Sequence, residues 1–288
     1  MTNILEAIVN IVENSSFKIT QHASGKNRAN NVGEALELYI KDSFANTLDV
    51  EEMKNKLEIF NTKFSWLGVQ NHPPDIMIKG GDAIEVKKIQ SAKSDLALNS
   101  SYPKSNISSS SPMITEECRN CEDWKEKDLI YCVGHTTDDT LKSLWMVYGN
   151  IYAAKHETYQ KIKNIISSGV EEIPNIELAK TKELGRVNKV DPLGITNLRI
   201  RGMWQIQNPI KVFDYLHVCK RQSLKVPSNK TFELICIIPS IKYLSFSDIS
   251  IRKIEGLSQD GFTIEDAKVK DPNNPANLIS CKLIRYIL

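Results

Sequence analysis

Asp75, Glu85 and Lys87 lie close together in a stretch that reads as two short alternating runs around a glycine pair. These residue types are the minimum kit for metal-assisted phosphodiester cleavage. Mg²⁺ is a hard cation that keeps several waters and takes only one or two carboxylates from a protein, here Asp75 and Glu85. Such an ion polarises a phosphate and lowers the pKa of a water. Lys87, two residues from Glu85 and so on the same side of a strand, could hold the attacking water and offset charge developing on the phosphate. The competing reading of the same spacing is a solvated hairpin face carrying ordinary charges.

The elements that position these groups follow from the pattern. Asp75-Ile76-Met77-Ile78-Lys79 and Ala83-Ile84-Glu85-Val86-Lys87 alternate with period two on either side of Gly80-Gly81-Asp82, which predicts a β-hairpin. Alternation puts Ile76, Ile78, Ile84 and Val86 on one face. Burying all four requires a three-residue loop that pairs Lys79 with Ala83, Ile78 with Ile84, Ile76 with Val86 and Asp75 with Lys87. A two-residue loop would pair Ile76 with Glu85 and split the apolar face. In the three-residue register Asp75, Glu85 and Lys87 share the opposite face.

Upstream, Val32, Ala35, Leu36, Tyr39, Ile40 and Phe44 recur at helical spacing and predict an amphipathic helix over 30–44. Gly33 and Glu37 lie one turn apart on its flank. Gly33 is expected to let the helix approach the sheet so that Glu37 joins the site as a third carboxylate or water anchor. Otherwise Glu34, Glu37 and Lys41 form only a solvated polar strip.

A helix carrying Glu37, then Pro74-Asp75, then Glu85-Val86-Lys87 resembles the PD-(D/E)xK nuclease superfamily. Longer strings resemble the NgoPII-type restriction endonucleases and span nearly the whole chain. They include Asn27-Arg28-Ala29-Asn30, Asn71-His72-Pro73-Pro74-Asp75 and Gly81 to Lys88. Further along come Leu96 to Ser101, Thr181 to Arg186, Arg201-Gly202-Met203-Trp204 and Asn273-Asn274-Pro275-Ala276. The resemblance implies an α/β fold with a mixed central sheet flanked by helices. It further implies a Mg²⁺-dependent type II enzyme that cuts both strands of double-stranded DNA at a short GC-rich palindrome, GGCC being the site associated with this type. A cognate DNA methyltransferase would be its counterpart in a restriction-modification system. The resemblance implies that Asp75, Glu85 and Lys87 keep the catalytic roles derived above, with Asp75 and Glu85 on the metal, and that Glu37 is the acidic residue the helix contributes. A palindrome presents two equivalent scissile phosphates, so a two-fold homodimer is expected.

Composition is consistent with this reading without pointing to it. The chain has 288 residues, 41% of them hydrophobic, and a net charge of +2. It can bury a large core, as one domain or as a core with a subdomain. Nucleic-acid affinity must then come from local clustering. Between Lys180 and Arg201, the cations Lys180, Lys182, Arg186, Lys189, Arg199 and Arg201 face only Glu183 and Asp191, a candidate DNA-facing patch. Residues 197–201 alternate like a strand, with Asn197, Arg199 and Arg201 on one side. Arginine reads guanine O6 and N7 bidentately in the major groove, which makes Arg186, Arg199 and Arg201 candidate base readers. A serine-rich loop follows the catalytic strand, and Asn99, Ser100, Ser101 and Lys104 at its start could contact bases or phosphate. The softly placed boundary near Gly169 divides a catalytic core, 1–169, from 170–288, which carries recognition and the remaining core elements.

Cys118-x2-Cys121 with Cys132-x2-His135 has the ligand types of a zinc site. Against it, residues 129–135 read as a buried strand, on which Cys132 and His135 point to opposite faces unless the strand ends at Gly134. Cys219, Cys236 and Cys281 sit in apolar segments as small core residues, and a reducing compartment is expected. Residues 1–12 read as an amphipathic helix rather than a secretion signal, and no apolar run is long enough to cross a bilayer. A prokaryotic cytoplasm is the expected location. Helices are also expected over 118–127, 159–167 and 208–218, and strands over 128–133, 143–148, 232–238 and 280–287. Two other functions fit the same residues: a repair or junction nuclease that selects DNA shape, and a DNA-binding module without catalysis.

Overall fold

Residues 129–133, 144–148 and 234–238 are uninterrupted runs of buried side chains, the signature of strands covered on both faces. They form the middle of the main sheet. The computed structural model describes residues 2–19, 28–69, 72–98, 101–137, 139–174, 176–181, 183–216 and 231–288, with backbone alone for 28–32.

In chain order the strands are β1 (Phe64–Trp66), β2 (Ile76–Ile78), β3 (Ala83–Ile89), β4 (Leu96–Ala97), β5 (Asn106–Ser108), β6 (Glu126–Thr137) and β7 (Thr140–Tyr148). They continue as β8 (Glu177–Leu178), β9 (Gly185–Asn188), β10 (Leu198–Ile200), β11 (Gln205–Ile206), β12 (Glu233–Pro239), β13 (Phe262–Asp271) and β14 (Asn274–Ile287). The helices are α1 (Ile4–Asn14), α2 (Arg28–Ala45), α3 (Met53–Lys63), α4 (Glu116–Asn120), α5 (His156–Glu171), α6 (Pro209–Val212), α7 (Ser240–Ser245) and α8 (Asp248–Glu255).

The main sheet has nine strands in the order β1-β2-β3-β6-β7-β12-β14-β13, with β5 added beside β6. β3 pairs parallel to β6 and β12 parallel to β7; the other neighbours are antiparallel. This is the mixed central sheet flanked by helices of a restriction-endonuclease-like fold. It draws strands from both sides of Gly169. Two smaller sheets stand apart from it: β10-β9-β8, and the pair β11-β4.

The Asn3 side chain caps α1 by accepting from the N–H groups of Leu5 at 2.9 Å and Glu6 at 3.2 Å. The helix expected over 1–12 forms and is sunk into the core, with every residue from Ile4 to Val12 buried except Glu6. α2 and α8 pack against it, and Glu6 accepts from Ser250 Oγ at 3.1 Å and Lys253 Nζ at 2.9 Å.

Other expectations differ in length. The helix over 118–127 shrinks to α4, capped by Thr115, because residues from 126 onward join β6. The helix over 208–218 becomes the single turn α6, started by Asn208 and Pro209, and a 3-10 turn at Asp214–Leu216. The final strand begins at Asn274 rather than Ser280 because it forms a hairpin with β13.

Candidate active site

The hairpin bearing Asp75, Glu85 and Lys87 forms with a different register. Ile76 pairs with Ile84 and Met77 with Ala83, where the sequence pattern predicts Ile76 with Val86 and Ile78 with Ile84. The loop is still three residues long, but it is Lys79-Gly80-Gly81, closed by Ile78 N–H donating to Asp82 O at 2.9 Å. Gly80 takes the positive φ of 66° that the turn requires. The cause is long-range. Asp82 is pulled out of the loop by Tyr148 Oη, which donates to its carboxylate at 2.7 Å, and by Lys242 Nζ at 2.5 Å. Lys127 Nζ holds the loop carbonyls of Ile78 and Gly81 at 3.2 and 2.6 Å, and Glu122 accepts from Gly80 N–H at 2.8 Å. The slip amounts to two positions, so the facing pattern survives: Ile76, Ile78 and Ile84 are buried in the core.

On the opposite side Asp75, Glu85 and Lys87 come together, while Glu37 on α2 acts on them only through its charge. Asp75 accepts from Val86 N–H at 2.6 Å, which fixes its carboxylate across the partner strand beside Glu85. Lys87 Nζ donates to Glu85 Oε1 at 2.6 Å. Burial first, and the Glu85 charge second, push the Asp75 carboxyl up to about 7, with a smaller push from Glu37. Burial pulls the Lys87 ammonium down, but Glu85, Asp75 and Glu37 outweigh it and hold the group above the ordinary lysine range. The charge of Glu37 is therefore felt at both Asp75 and Lys87, while its carboxylate pairs with Lys41 Nζ at 2.6 Å.

Gly33 does not supply the close helix approach expected of it, since a Cβ there would meet nothing within 4 Å. The close approach is at Gly134 on β6, where a Cβ would come within 2.6 Å of Leu36 Cδ2 on α2. A glycine in a run of buried β residues is the signal that could have located it.

Two acids crowded in a half-buried site leave negative charge unbalanced. Glu85 Oε2 is buried and, among the described residues, has no hydrogen-bond partner. That orphaned oxygen beside Asp75 fits a divalent cation, which would supply the missing partner. Among the described residues no three His, Cys, Asp or Glu side chains form a ready-made cage, in keeping with an ion that takes one or two carboxylates and otherwise water and phosphate oxygens.

The zinc-like cysteines are placed elsewhere. β6 runs through His135 to Thr137, so Cys132 and His135 diverge. Cys118 Sγ lies against Met77 Sδ at 3.5 Å, and burial pushes its thiol up to about 12. Cys236 and Cys281 are buried in the core, and Cys219 lies outside the described residues.

The DNA-binding candidates divide. Asn99, Ser100 and Lys182 lie outside the described residues, as do Asn27 and Asn71 of the family-like strings. Arg186 and Arg199 are cross-strand partners on β9 and β10, both exposed. Arg199 donates through Nε and Nη2 to Glu183 at 3.0 and 2.7 Å, and Arg201 through Nε to the same carboxylate at 2.5 Å. Lys189 pairs with Glu177 at 2.8 Å, and Asn197 braces the turn by accepting from Lys189 N–H at 3.2 Å. The patch is thus partly neutralised by its own acids. Its link to the catalytic strand is β11, which pairs with β4, and Leu98 N–H, which donates to Trp204 O at 2.8 Å.

Ser101 and Lys104, by contrast, sit on the Glu85 side of the sheet. Sequence reasoning missed the residue that puts them there: Tyr131 on β6, in register with Glu85 and bonded to the Lys104 backbone.

The model of the NgoPII restriction endonuclease family matches residues 2–270. The chain is 45% identical, over 99% of its own length and 100% of the relative's, to the type II restriction enzyme NgoPII of Neisseria gonorrhoeae. No solved structure matches it. With a restriction-endonuclease-like sheet, carboxylates gathered around a half-buried lysine and a match along nearly its whole length, the chain belongs to the NgoPII restriction endonuclease family.

Proposed function

We propose that this protein is a Mg²⁺-dependent type II restriction endonuclease that cuts both strands of double-stranded DNA within a short GC-rich palindrome, GGCC. The observation that carries the chemical part is the juxtaposition of Asp75, Glu85 and Lys87 with an unpartnered buried oxygen on Glu85. Asp75 and Glu85 would hold the ion. When bound, Mg²⁺ supplies Lewis acidity to the phosphate and acidifies a water.

The chain's own residues do the rest. Val86 N–H orients the Asp75 carboxylate. Lys87, kept charged by its three acidic neighbours, orients the attacking water and offsets charge building on the phosphate oxygens. Glu37 contributes to the negative field that favours the cation and, paired with Lys41, stays as a second anchor. Arg186, Arg199 and Arg201 are the candidate guanine readers, with Lys182, Asn99, Ser100 and Ser101 as further DNA contacts. The division of labour between 1–169 and 170–288 is catalysis against recognition, with core strands contributed by both. A two-fold homodimer would place one site on each strand of the palindrome. A cognate methyltransferase would protect the host, and the cytoplasm is the compartment that holds both. No helix among the described residues is long and apolar enough to cross a membrane.

The test is to digest a plasmid with purified protein and Mg²⁺ and to sequence the ends. Discrete fragments ending within GGCC support the proposal. Fragments ending at another motif replace the site while keeping the enzyme, and cutting confined to branched or damaged DNA rejects a restriction role.

A further inference from the structure

Lys104 has an unusual setting for a lysine in a surface loop. Its backbone is held at both ends of one residue by one side chain: Lys104 N–H donates to Tyr131 Oη at 2.8 Å, and Tyr131 Oη donates back to Lys104 O at 3.1 Å. Tyr131 is itself buried and pairs in register with Glu85 across the parallel β3–β6 ladder. In-register neighbours on adjacent strands project from the same face, so the tyrosine that fixes Lys104 rises beside the catalytic glutamate.

A second contact fixes the loop from below. At Gly149 a Cβ would fall 2.4 Å from Ser105 O and 2.6 Å from Lys104 O, so the backbone of these two residues rests directly on a position that admits no side chain. Two independent contacts therefore specify where Lys104 starts.

Its ammonium is equally constrained. It donates to Ser101 Oγ and lies 5.8 Å from the centre of the Tyr102 ring. Among the described residues it has no ion-pair partner, whereas Lys87 has Glu85 and Lys41 has Glu37. Burial pulls its ammonium below the ordinary lysine range, with Glu85 raising it and Lys87 lowering it further. A cation partly stripped of water, near a second cation and bonded only to a neutral hydroxyl, is poorly compensated in the absence of an anion. An anionic oxygen could displace the serine hydroxyl and supply the charge.

We propose that Lys104 is a second catalytic lysine, which grips a non-bridging oxygen of the phosphate being cut, and that Tyr131 is its positioning residue. The proposal rests on the assignment of Asp75, Glu85 and Lys87 as the nuclease site and adds a contact to it. Lys87 serves the water and Lys104 the phosphate. Interactions that strengthen as charge develops raise the rate more than the affinity, so the loss on removing Lys104 should fall on the chemical step.

The experiment measures single-turnover cleavage, at saturating enzyme, of a short duplex carrying the mapped cleavage site. The variants are Lys104→Met, Lys104→Gln, Lys104→Arg and Tyr131→Phe, with Lys87→Ala as the reference for the site itself. Binding is measured on the same duplex in the Lys87→Ala background, where the DNA stays intact, and melting curves establish folding.

Lys104→Met and Lys104→Gln are expected to slow cleavage by about 10²–10³-fold while leaving affinity within about one order of magnitude, the scale of a single phosphate contact. Lys104→Arg should recover part of the rate. Tyr131→Phe should slow cleavage less than Lys104→Met does, at an affinity close to wild type. Should one neutral variant fail to fold, the other neutral variant and Lys104→Arg carry the comparison. A wild-type rate at saturation in a folded neutral variant overturns the proposal, as does a loss confined to affinity. If Lys87→Ala itself cuts at the wild-type rate, it is the underlying site assignment that fails.

Discussion

Lys87 and Arg199 are each paired with a glutamate, at 2.6 and 2.7 Å, yet their side chains are 24% and 55% exposed. The first pair lies in the catalytic hairpin, inside the nine-stranded sheet, surrounded by Asp75 and Glu37. The second lies on a small separate sheet, with its arginine open to solvent. A buried pair loses its partner at great expense because water cannot replace it, whereas an exposed pair can be opened for little. The first pair is therefore costly to open, and the second is readily exchanged for another acceptor. A duplex supplies such an acceptor, in phosphate oxygens or in guanine O6 and N7.

This contrast sets the order of expected effects. The largest is Lys87→Ala, which should abolish cleavage while leaving DNA binding measurable; retained cutting would remove the basis for calling the hairpin the site of chemistry. Next is Asp75→Asn. The carboxyl titrates near 7 in the folded chain against an ordinary value of 3.8, so between these limits the native state holds a proton that the unfolded state has shed. Stability contributed by this group is therefore present at low pH and lost as pH rises toward and through 7. In chelator-treated protein Asp75→Asn should flatten that decline and raise the melting temperature at pH 8, and identical melting profiles would show that Asp75 is not the group responsible.

Smaller effects belong to the arginine sheet. Arg199→Ala and Arg201→Ala should each weaken binding to the specific duplex by about 1–3 kcal/mol if they read guanine, and equal losses on random DNA would make them phosphate contacts. The smallest is Glu183→Gln, which releases both arginines from their acid. It should leave the melting temperature unchanged and tighten binding to random duplex, most visibly at low salt, where phosphate contacts count for most. Unchanged random binding would mean that Glu183 holds nothing back.

The same contrast explains what could be read from the chain. The shared face of Asp75, Glu85 and Lys87 was legible because strand alternation has a period of two, which the observed slip of two positions preserves. The register itself was not, because Asp82 is taken from the loop by Tyr148 and Lys242, residues that no local pattern connects to it. The helix bearing Glu37 could be found from its apolar spacing, but the glycine that seats it is Gly134, on another element. The arginines were visible as a cluster, whereas their common tie to Glu183 arises from the β9–β10 pairing and the loop preceding it. The burial of α1 is shared between α2 and α8, the second more than 200 residues away in sequence.

That last arrangement has a consequence for how such an enzyme is made. Asp75, Glu85 and Lys87 leave the ribosome early, but β7 has no neighbour on its outer side until β12 is delivered, and Glu6 of the first helix waits for Ser250 and Lys253. A nascent chain that already holds Asp75, Glu85 and Lys87 but lacks β12 and α8 would still expose an open sheet edge and an incompletely covered apolar helix. The middle of the sheet that carries Asp75, Glu85 and Lys87 is thus paired on both sides only once residues 233–239 have been made.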